Sequence, residues 1–328
     1  MKPRLLLAGR TRYRLPLDES LHRKFAALER LFELRVLGTA EPGSASANGT
    51  FRLVAPVGPA HLEGALFHLT FPFRVAKELR GFRPDAVVVQ GAHEAAAALL
   101  GRRLAGIPAQ VVLDVHGDWR TVTRLYGSPT RRLLNPLADR LAAAAVRRAD
   151  AVRTVSGYTT GLVRELGVEP AAVFPAFMDL EPFLSPPLPL PAQPAALFVG
   201  VLEHYKDIDG LAEAWRRAAP RLPGAMLHLV GRGSRRHVVE ALCRGRPIVA
   251  TRVGGIRDVV SDGLNGILVE PRGPGALAEA LVRVLCDREL AERLATAARP
   301  SVEPWLATPE QYAERLLELV SRLGSRLD

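Results

Sequence analysis

The chain has 328 residues, 48% of them hydrophobic and 24% charged. Such a length is about twice that of one ordinary domain, so two domains are expected and a wholly disordered chain is excluded. Two cysteines, Cys243 and Cys286, are too few for a disulfide framework or a four-cysteine zinc site, which points to a reducing compartment. No apolar run reaches the ~18 residues that cross a bilayer, and the five-residue apolar stretch Leu5 to Gly9 is too short for a signal-peptide core. The expected location is cytoplasmic. Net charge is +10, with 25 basic and 17 acidic residues in 1–190 and 19 and 17 in 191–328. The excess in the first half suits an anionic partner there, although four lysines against forty arginines also fit a codon bias.

In chain order, Arg4 to Ala8 reads as a buried strand and Glu19 to Leu31 as a helix. Leu34 to Leu37 and Phe51 to Val54 read as strands, Pro72 to Arg80 as a helix, Ala86 to Val89 as a strand and Glu94 to Ala105 as a helix. Val111 to Val115 and Ala151 to Val155 are strands, each followed by a helix, Arg131 to Arg148 lying between them and Thr159 to Leu166 after. Six prolines in Glu181 to Ala195 forbid helix and central strand, which predicts an extended linker. Beyond it the alternation restarts: strands at Ala196–Gly200, Met226–Val230, Pro247–Ala250 and Gly266–Val269, helices at Ile208–Ala219, Val238–Arg244, Ala276–Cys286, Ala291–Ala298 and Pro309–Leu323. Apolar strands alternating with helices define an α/β class with mainly parallel sheets, two doubly wound, Rossmann-like domains in all. The expected domains are 1–180 and 196–300, joined by the linker 181–195, with a C-terminal helical segment 301–328 that packs back on the first domain.

In such sheets ligands bind beyond the carboxyl ends of the strands. The chemistry-bearing residues gather there. Lys206 follows a strand and a short loop, where a cation can neutralise a departing phosphate. His116 and Gly117 end one strand, and Gly231 and the pair Gly254–Gly255 end others, where absent side chains let a ligand approach the backbone. Glu240 opens a helix. Asp207 and Asp209 could mimic a metal-binding pair, but they more often cap a helix start; Ser156 reads as a cap too. No Gly-x-Ser-x-Gly turn supports hydrolase chemistry. With 6% aromatics and no recognisable motif, nucleic-acid binding is not expected.

The ordered series Phe198-Val-Gly-Val-Leu-Glu-His-Tyr-Lys206, Leu229-Val-Gly-Arg-Gly233, His237 to Gly255 and Asp262-Gly-Leu-Asn-Gly266 resembles the donor-binding domain of retaining GT-B glycosyltransferases of the group 1, or family-four, type. Asp114-Val-His-Gly117 and Ala149 to Ser156 resemble their acceptor domain more loosely. The resemblance implies that Lys206 stabilises a leaving diphosphate and that His116 orients the transferred sugar. Glu240 would hold ribose, with Gly117, Gly200, Gly231, Gly254 and Gly255 around the donor. It implies a nucleotide-sugar co-substrate with no further cofactor or metal, and a saccharide, lipid or small-molecule acceptor. Weak peripheral contact with the inner face of a membrane, through His22, Arg23 and Lys24 of the helix Glu19–Leu31, is a further expectation.

Three departures matter. The family's lysine is paired with an arginine five residues earlier, where Val201 stands. The first glutamate of the Glu-x7-Glu motif falls on Arg232. By the size of βαβ units, roughly 60 residues of the family's strand–helix material are expected to be missing around 233–236. A compact donor sheet of order 2-1-5-6, with strand 247–250 beside strand 196–200, is one expectation; a join across a lost stretch is the other. The loop expected at Gly9 to Leu17 lacks the family's Gly-Gly, leaving Arg10, Arg12 and Arg14 to meet phosphate or solvent. A catalytically inactive homologue and a nucleotide-sugar epimerase are the alternative readings.

Overall fold

Strands that are apolar on both faces need a helical layer on each side, and the first half of the chain builds that arrangement. The computed structural model describes residues 2–56, 63–120, 129–200, 206–231 and 237–324. The chain divides into two compact units, Met1–Phe177 with Thr308–Asp328, and Met178–Ala307.

In the first unit, β1 (Arg4–Tyr13), β2 (Glu33–Ala40), β3 (Phe51–Val54), β4 (Ala86–Gln90), β5 (Gln110–Val115), β6 (Ala151–Thr154) and β7 (Ala172–Val173) form one sheet of order β3-β2-β1-β4-β5-β6-β7. Every pair in it is parallel. Successive residues go to opposite sides. Leu6, Val87 and Val111 join the core under α2 (Glu63–Phe82), α3 (Ala92–Ala105), α4 (Pro129–Arg148) and α5 (Gly157–Arg164), whereas Leu5, Val88 and Val112 join the core under α1 (Glu19–Leu31) and the last helix. The strand order reverses between β1 and β4, which places the ligand-binding crevice of such a sheet at their carboxyl ends.

β1 runs five residues past the predicted Ala8. After an irregularity between Ala8 and Arg12, Arg12 pairs with Thr39 and Tyr13 with Ala40. The expected loop of arginines is therefore largely strand. Gly38 makes this extension possible, because a Cβ there would lie 2.8 Å from the Tyr13 ring.

The second unit holds two separate two-stranded parallel sheets, β8 (Ala195–Gly200) with β9 (Met226–Gly231) and β10 (Ile248–Thr251) with β11 (Gly266–Val269). The expected order 2-1-5-6 is not formed, since β10 pairs with β11 and not with β8 among the described residues. Its helices are α6 (Ile208–Ala218), α7 (His237–Cys243), α8 (Ile256–Val259), α9 (Pro274–Cys286) and α10 (Arg288–Ala298). Helix α9 packs against β8, β10, β11 and α6 together. Ile267 and Val269 hold the β10–β11 pair in a core with Leu290 and Leu294 of α10. The junction at 233–236 lies outside the described residues.

The proline-rich stretch is tied to the second unit along its length. Arg246 donates to the Leu188 carbonyl at 3.1 Å, Arg288 to that of Pro191 at 3.1 Å, and Arg299 to that of Ser185 at 3.0 Å. After a 3-10 turn at Pro300–Trp305, α11 (Pro309–Gly324) returns to the first unit, burying Tyr312, Leu316, Leu319 and Leu323 beside α1. Among the described residues no helix is long and apolar enough to cross a membrane.

Leu316 is 1% exposed in that interface. Leu316→Ala is expected to lower stability by about 3 kcal/mol in chemical denaturation, the usual result of a buried leucine cavity. A loss under about 1 kcal/mol would mean that α11 is not held by its apolar face.

Candidate functional site

The site in the first unit grows from one strand register. Asp114 of β5 stands directly opposite Arg153 of β6. Arg153 is 0% exposed, and a guanidinium so placed must have its charge answered by protein, although its Nε is buried with no hydrogen-bond partner among the described residues. Its Nη1 donates to Asp114 Oδ2 at 2.6 Å, and its Nη2 to the carbonyls of Phe174 and Pro175 at 2.9 and 2.8 Å. The Phe174 and Tyr312 rings lie 3.9 and 5.4 Å from the guanidinium carbon. Asp114 Oδ2 also meets His116 Nε2 at 2.8 Å. Burial alone would push the Asp114 carboxyl up, but Arg153, His116 and Lys24 outweigh it and hold the group at about 2. An ionised carboxylate only accepts, so Nε2 of His116 carries the proton and donates. His116 is the first residue past β5, and its side chain is 37% exposed.

Asp114 also lines a cavity of about 30 Å³ at the carboxyl ends of β1 and β4, with Gly9, Thr11, Gln90, Lys24 and Tyr312. That volume suits a group the size of one or two waters. The Oδ1 atom of Asp114 is buried with no hydrogen-bond partner among the described residues. Lys24, expected to face a membrane from α1, instead turns toward this cavity, 5.3 Å from the Tyr312 ring centre; Arg23 is half-buried and His22 exposed. The helix does not present the three as one outward patch.

On the other face of the sheet, Glu63 takes Arg12 at 2.7 Å and Arg10 at 3.6 Å, so those two arginines are engaged by a carboxylate, and Arg14 is exposed. Hydrogen bonding from Arg12 holds the Glu63 carboxyl below its usual range. His68 and His93 sit edge to face, 6.3 Å between ring centres. Burial, then the neighbouring His93 and Arg10, push His68 down to about 4. Glu94, raised mainly by burial, folds back over Gly91, whose φ of +112° and missing Cβ leave it room.

In the second unit, Gly200 and Gly231 end β8 and β9 as direct register partners. Gly254, at φ +52°, and Gly255, the N-cap of α8, form the turn after β10. Lys206 is exposed just before α6, and Asp207 caps that helix by accepting from Gly210 N at 3.2 Å. Glu240 is half-buried in α7, one turn before the buried Cys243. Val201 and Arg232 lie outside the described residues. The segment Asp262–Gly266 is structural. Asp262 accepts from Leu268 N at 2.9 Å and from Arg252 at 2.9 Å, and the fully buried Asn265 donates to the Val259 carbonyl and to Ser301 Oγ. Ser156 caps α5 in a reciprocal box with Thr159.

Sequence reasoning missed Arg153, Lys24 and Tyr312. The detectable signal was Arg153 itself, a cation in the apolar run Ala151-Val-Arg-Thr-Val155.

Residues 17–176 match the model of a glycosyl transferase 4-like domain, and residues 236–300 that of glycosyl transferases group 1. The chain is 36% identical over 85 residues to the D-inositol 3-phosphate glycosyltransferase of Corynebacterium urealyticum, covering 26% of this chain and 20% of that one. It is 33% identical over 139 residues to the phosphatidyl-myo-inositol mannosyltransferase of Mycobacterium leprae, covering 39% and 35%. The chain thus spans at most about a third of the length of these two relatives. In fold it is similar to a sucrose-phosphate synthase from Thermosynechococcus elongatus (TM-score 0.71, 16% identity, 98% of this chain and 100% of the other). The Anabaena protein HepE, solved in complex with UDP-glucose, gives a TM-score of 0.65 at 14% identity over 99% of both chains. The architecture is that of the GT-B glycosyltransferases. The two family matches together support a glycosyltransferase of the group 1 type.

Removing one partner of the buried pair leaves an unanswered charge. Arg153→Met is expected to cost about 3–5 kcal/mol in denaturant titrations, and Asp114→Leu with Arg153→Met to cost less than either single change. Additive losses would contradict the pairing. For His68 the folded value lies below the unfolded one, so its contribution is present above pH 6.5 and is lost as pH falls toward 4. Stability should fall by on the order of 2 kcal/mol across that window, and His68→Asn should flatten the profile. An unchanged profile would show that His68 is not desolvated.

Proposed function

We propose that the protein transfers a sugar from a nucleotide-sugar donor to a hydroxyl-bearing acceptor, with retention of anomeric configuration and without a metal ion or further cofactor. The observation that carries this reading is the pair of family matches, 17–176 and 236–300, which fall in the order of a GT-B transferase and contain His116 and Glu240 respectively. The UDP-glucose bound by the Anabaena relative in fold makes a uridine nucleotide the first donor to test.

In this reading the bond between the anomeric carbon and the diphosphate oxygen breaks, and the acceptor oxygen bonds to the same face. The acceptor proton passes to the departing diphosphate, so the products are a glycoside and a nucleoside diphosphate. Lys206 neutralises the charge that develops on the diphosphate. Glu240 accepts hydrogen bonds from the ribose hydroxyls. Gly200, Gly231, Gly254 and Gly255 allow close backbone approach to the donor. His116, with Gly117 beside it, orients the transferred sugar. Its Nε2 is spoken for by Asp114, which fixes the ring before substrate arrives. The unsatisfied Asp114 Oδ1 and the adjoining cavity would receive an acceptor hydroxyl.

A second reading, a non-catalytic nucleotide-sugar-binding homologue, is favoured by one feature of the second unit. Leu197, Met226 and Val230 on one face of the β8–β9 pair are 65%, 48% and 49% exposed, where a complete doubly wound sheet would carry a helix.

Release of nucleoside diphosphate from UDP-, GDP- and ADP-sugars distinguishes the two. Turnover that drops roughly 100-fold in Lys206→Ala and His116→Ala, with a raised KM in Glu240→Ala, supports transfer. Equal rates in wild type and variants would remove the assigned roles. Thermal stabilisation by UDP-glucose without release of UDP would support the binding protein, and no nucleotide binding would sink both readings.

A further inference from the structure

Asp114 holds one carboxylate oxygen that the fold does not use. Its side chain is 2% exposed. Oδ2 is engaged by Arg153 and His116, while Oδ1 is buried with no hydrogen-bond partner among the described residues. Leaving a buried charged acceptor unmade is costly, so one that is kept in place points to a ligand.

The cavity beside Oδ1 has two unlike walls. Val36, Leu37 and Val88 make one of carbon, and Asp114, Lys24 and Tyr312 make the other. Gly9 is buried and borders the same space, and a Cβ built on it would meet nothing within 4 Å. The two exposed residues of the lining are Thr11 and Gln90, where the Thr11 hydroxyl donates to Gln90 Oε1 at 3.1 Å. The cavity therefore has a polar rim and a buried floor.

Size, proton demand and charge fix what can enter. A volume of about 30 Å³ holds about two heavy atoms. An ionised carboxylate only accepts, so the entering group must donate; a carboxylate, a phosphate or a ketone is excluded. Arg153 and Lys24 already set two positive charges against one carboxylate, which disfavours an ammonium and leaves a neutral hydroxyl. Water could donate too, but the carbon wall offers it no partner, whereas a methylene group suits that wall.

We propose that this cavity is the subsite for a primary hydroxymethyl group of a neutral acceptor sugar. The methylene lies against Val36 and Val88, and the hydroxyl donates to Asp114 Oδ1. Every lining residue belongs to the first unit, and none is among the residues assigned to the donor or the transferred sugar, which favours the acceptor as the source. The inference rests on the sugar-transfer reading only in calling that sugar the acceptor.

Binding of methyl glycosides to the full chain, with no nucleotide sugar present, tests it. Three matched pairs differ only in the hydroxymethyl group: the methyl pyranosides of glucose and xylose, of galactose and arabinose, and of mannose and lyxose. The readout is the carbon-13 signal of the Asp114 carboxyl. At least one hexoside is expected to move that signal and to bind roughly tenfold or more tightly than its pentoside counterpart. Gly9→Ala should weaken that binding and Gly9→Val, which fills the cavity, should abolish it, with circular dichroism confirming that both variants are folded. No shift with any hexoside would mean that the cavity holds water only, and overturns the proposal. So does equal binding within every pair, binding retained by folded Gly9→Val, or a shift caused by UDP-glucose and by no methyl hexoside, which would assign the subsite to the donor. Release of nucleoside diphosphate without any hexoside shift would sink this subsite and leave sugar transfer standing. Selective hexoside binding without such release would keep the subsite and remove transfer.

Discussion

A guanidinium shut inside a parallel sheet constrains everything that surrounds it. Arg153 cannot be left unanswered, and the chain answers it from four directions: Asp114 across the strand, the carbonyls of Phe174 and Pro175 beyond β7, and the rings of Phe174 and Tyr312. Tyr312 comes from α11, more than a hundred residues after the rest of the unit. The return of the chain therefore serves the charge as well as the apolar seam with α1. Asp114, kept ionised by that arginine, in turn fixes His116. One buried charge thus links the sheet, the C-terminal helix and the strand-end histidine.

The second unit obeys a different constraint. Two strand pairs share a helix, α9, without sharing an edge, and a short turn region is pinned by Asn265 and Asp262 rather than by further strands. The motif residues 262–266 that carry family likeness lead into β11 and dock Ser301. The glycines at 200 and 231 end β8 and β9 as register partners, and those at 254 and 255 form the turn after β10.

Much of this was readable from residue patterns. Runs such as Ala86–Val89 and Val111–Val115 are apolar on both faces, and that alone places them in a covered parallel sheet. Proline signals were less reliable: α2 continues through Pro72 and begins at Glu63, nine residues before the predicted start. The stretch Arg10-Thr-Arg-Tyr13 reads as loop because its charges mask a period of two, yet Tyr13 points inward and pairs beside Gly38. Arg153 was missed as a site residue because only register, not spacing along the chain, sets it opposite Asp114. The separation of β10 from β8 was not legible either, since a sequence carries helix and strand periods but not which edge a strand will join.

The claim on which the first unit rests is that Asp114 stays ionised in the core because Arg153 and His116 demand it. A carbon-13 titration of the Asp114 carboxyl in the intact protein measures this directly. A midpoint at about 2 is expected. A midpoint at or above the ordinary 3.8 would contradict it, and with it the fixed orientation of His116.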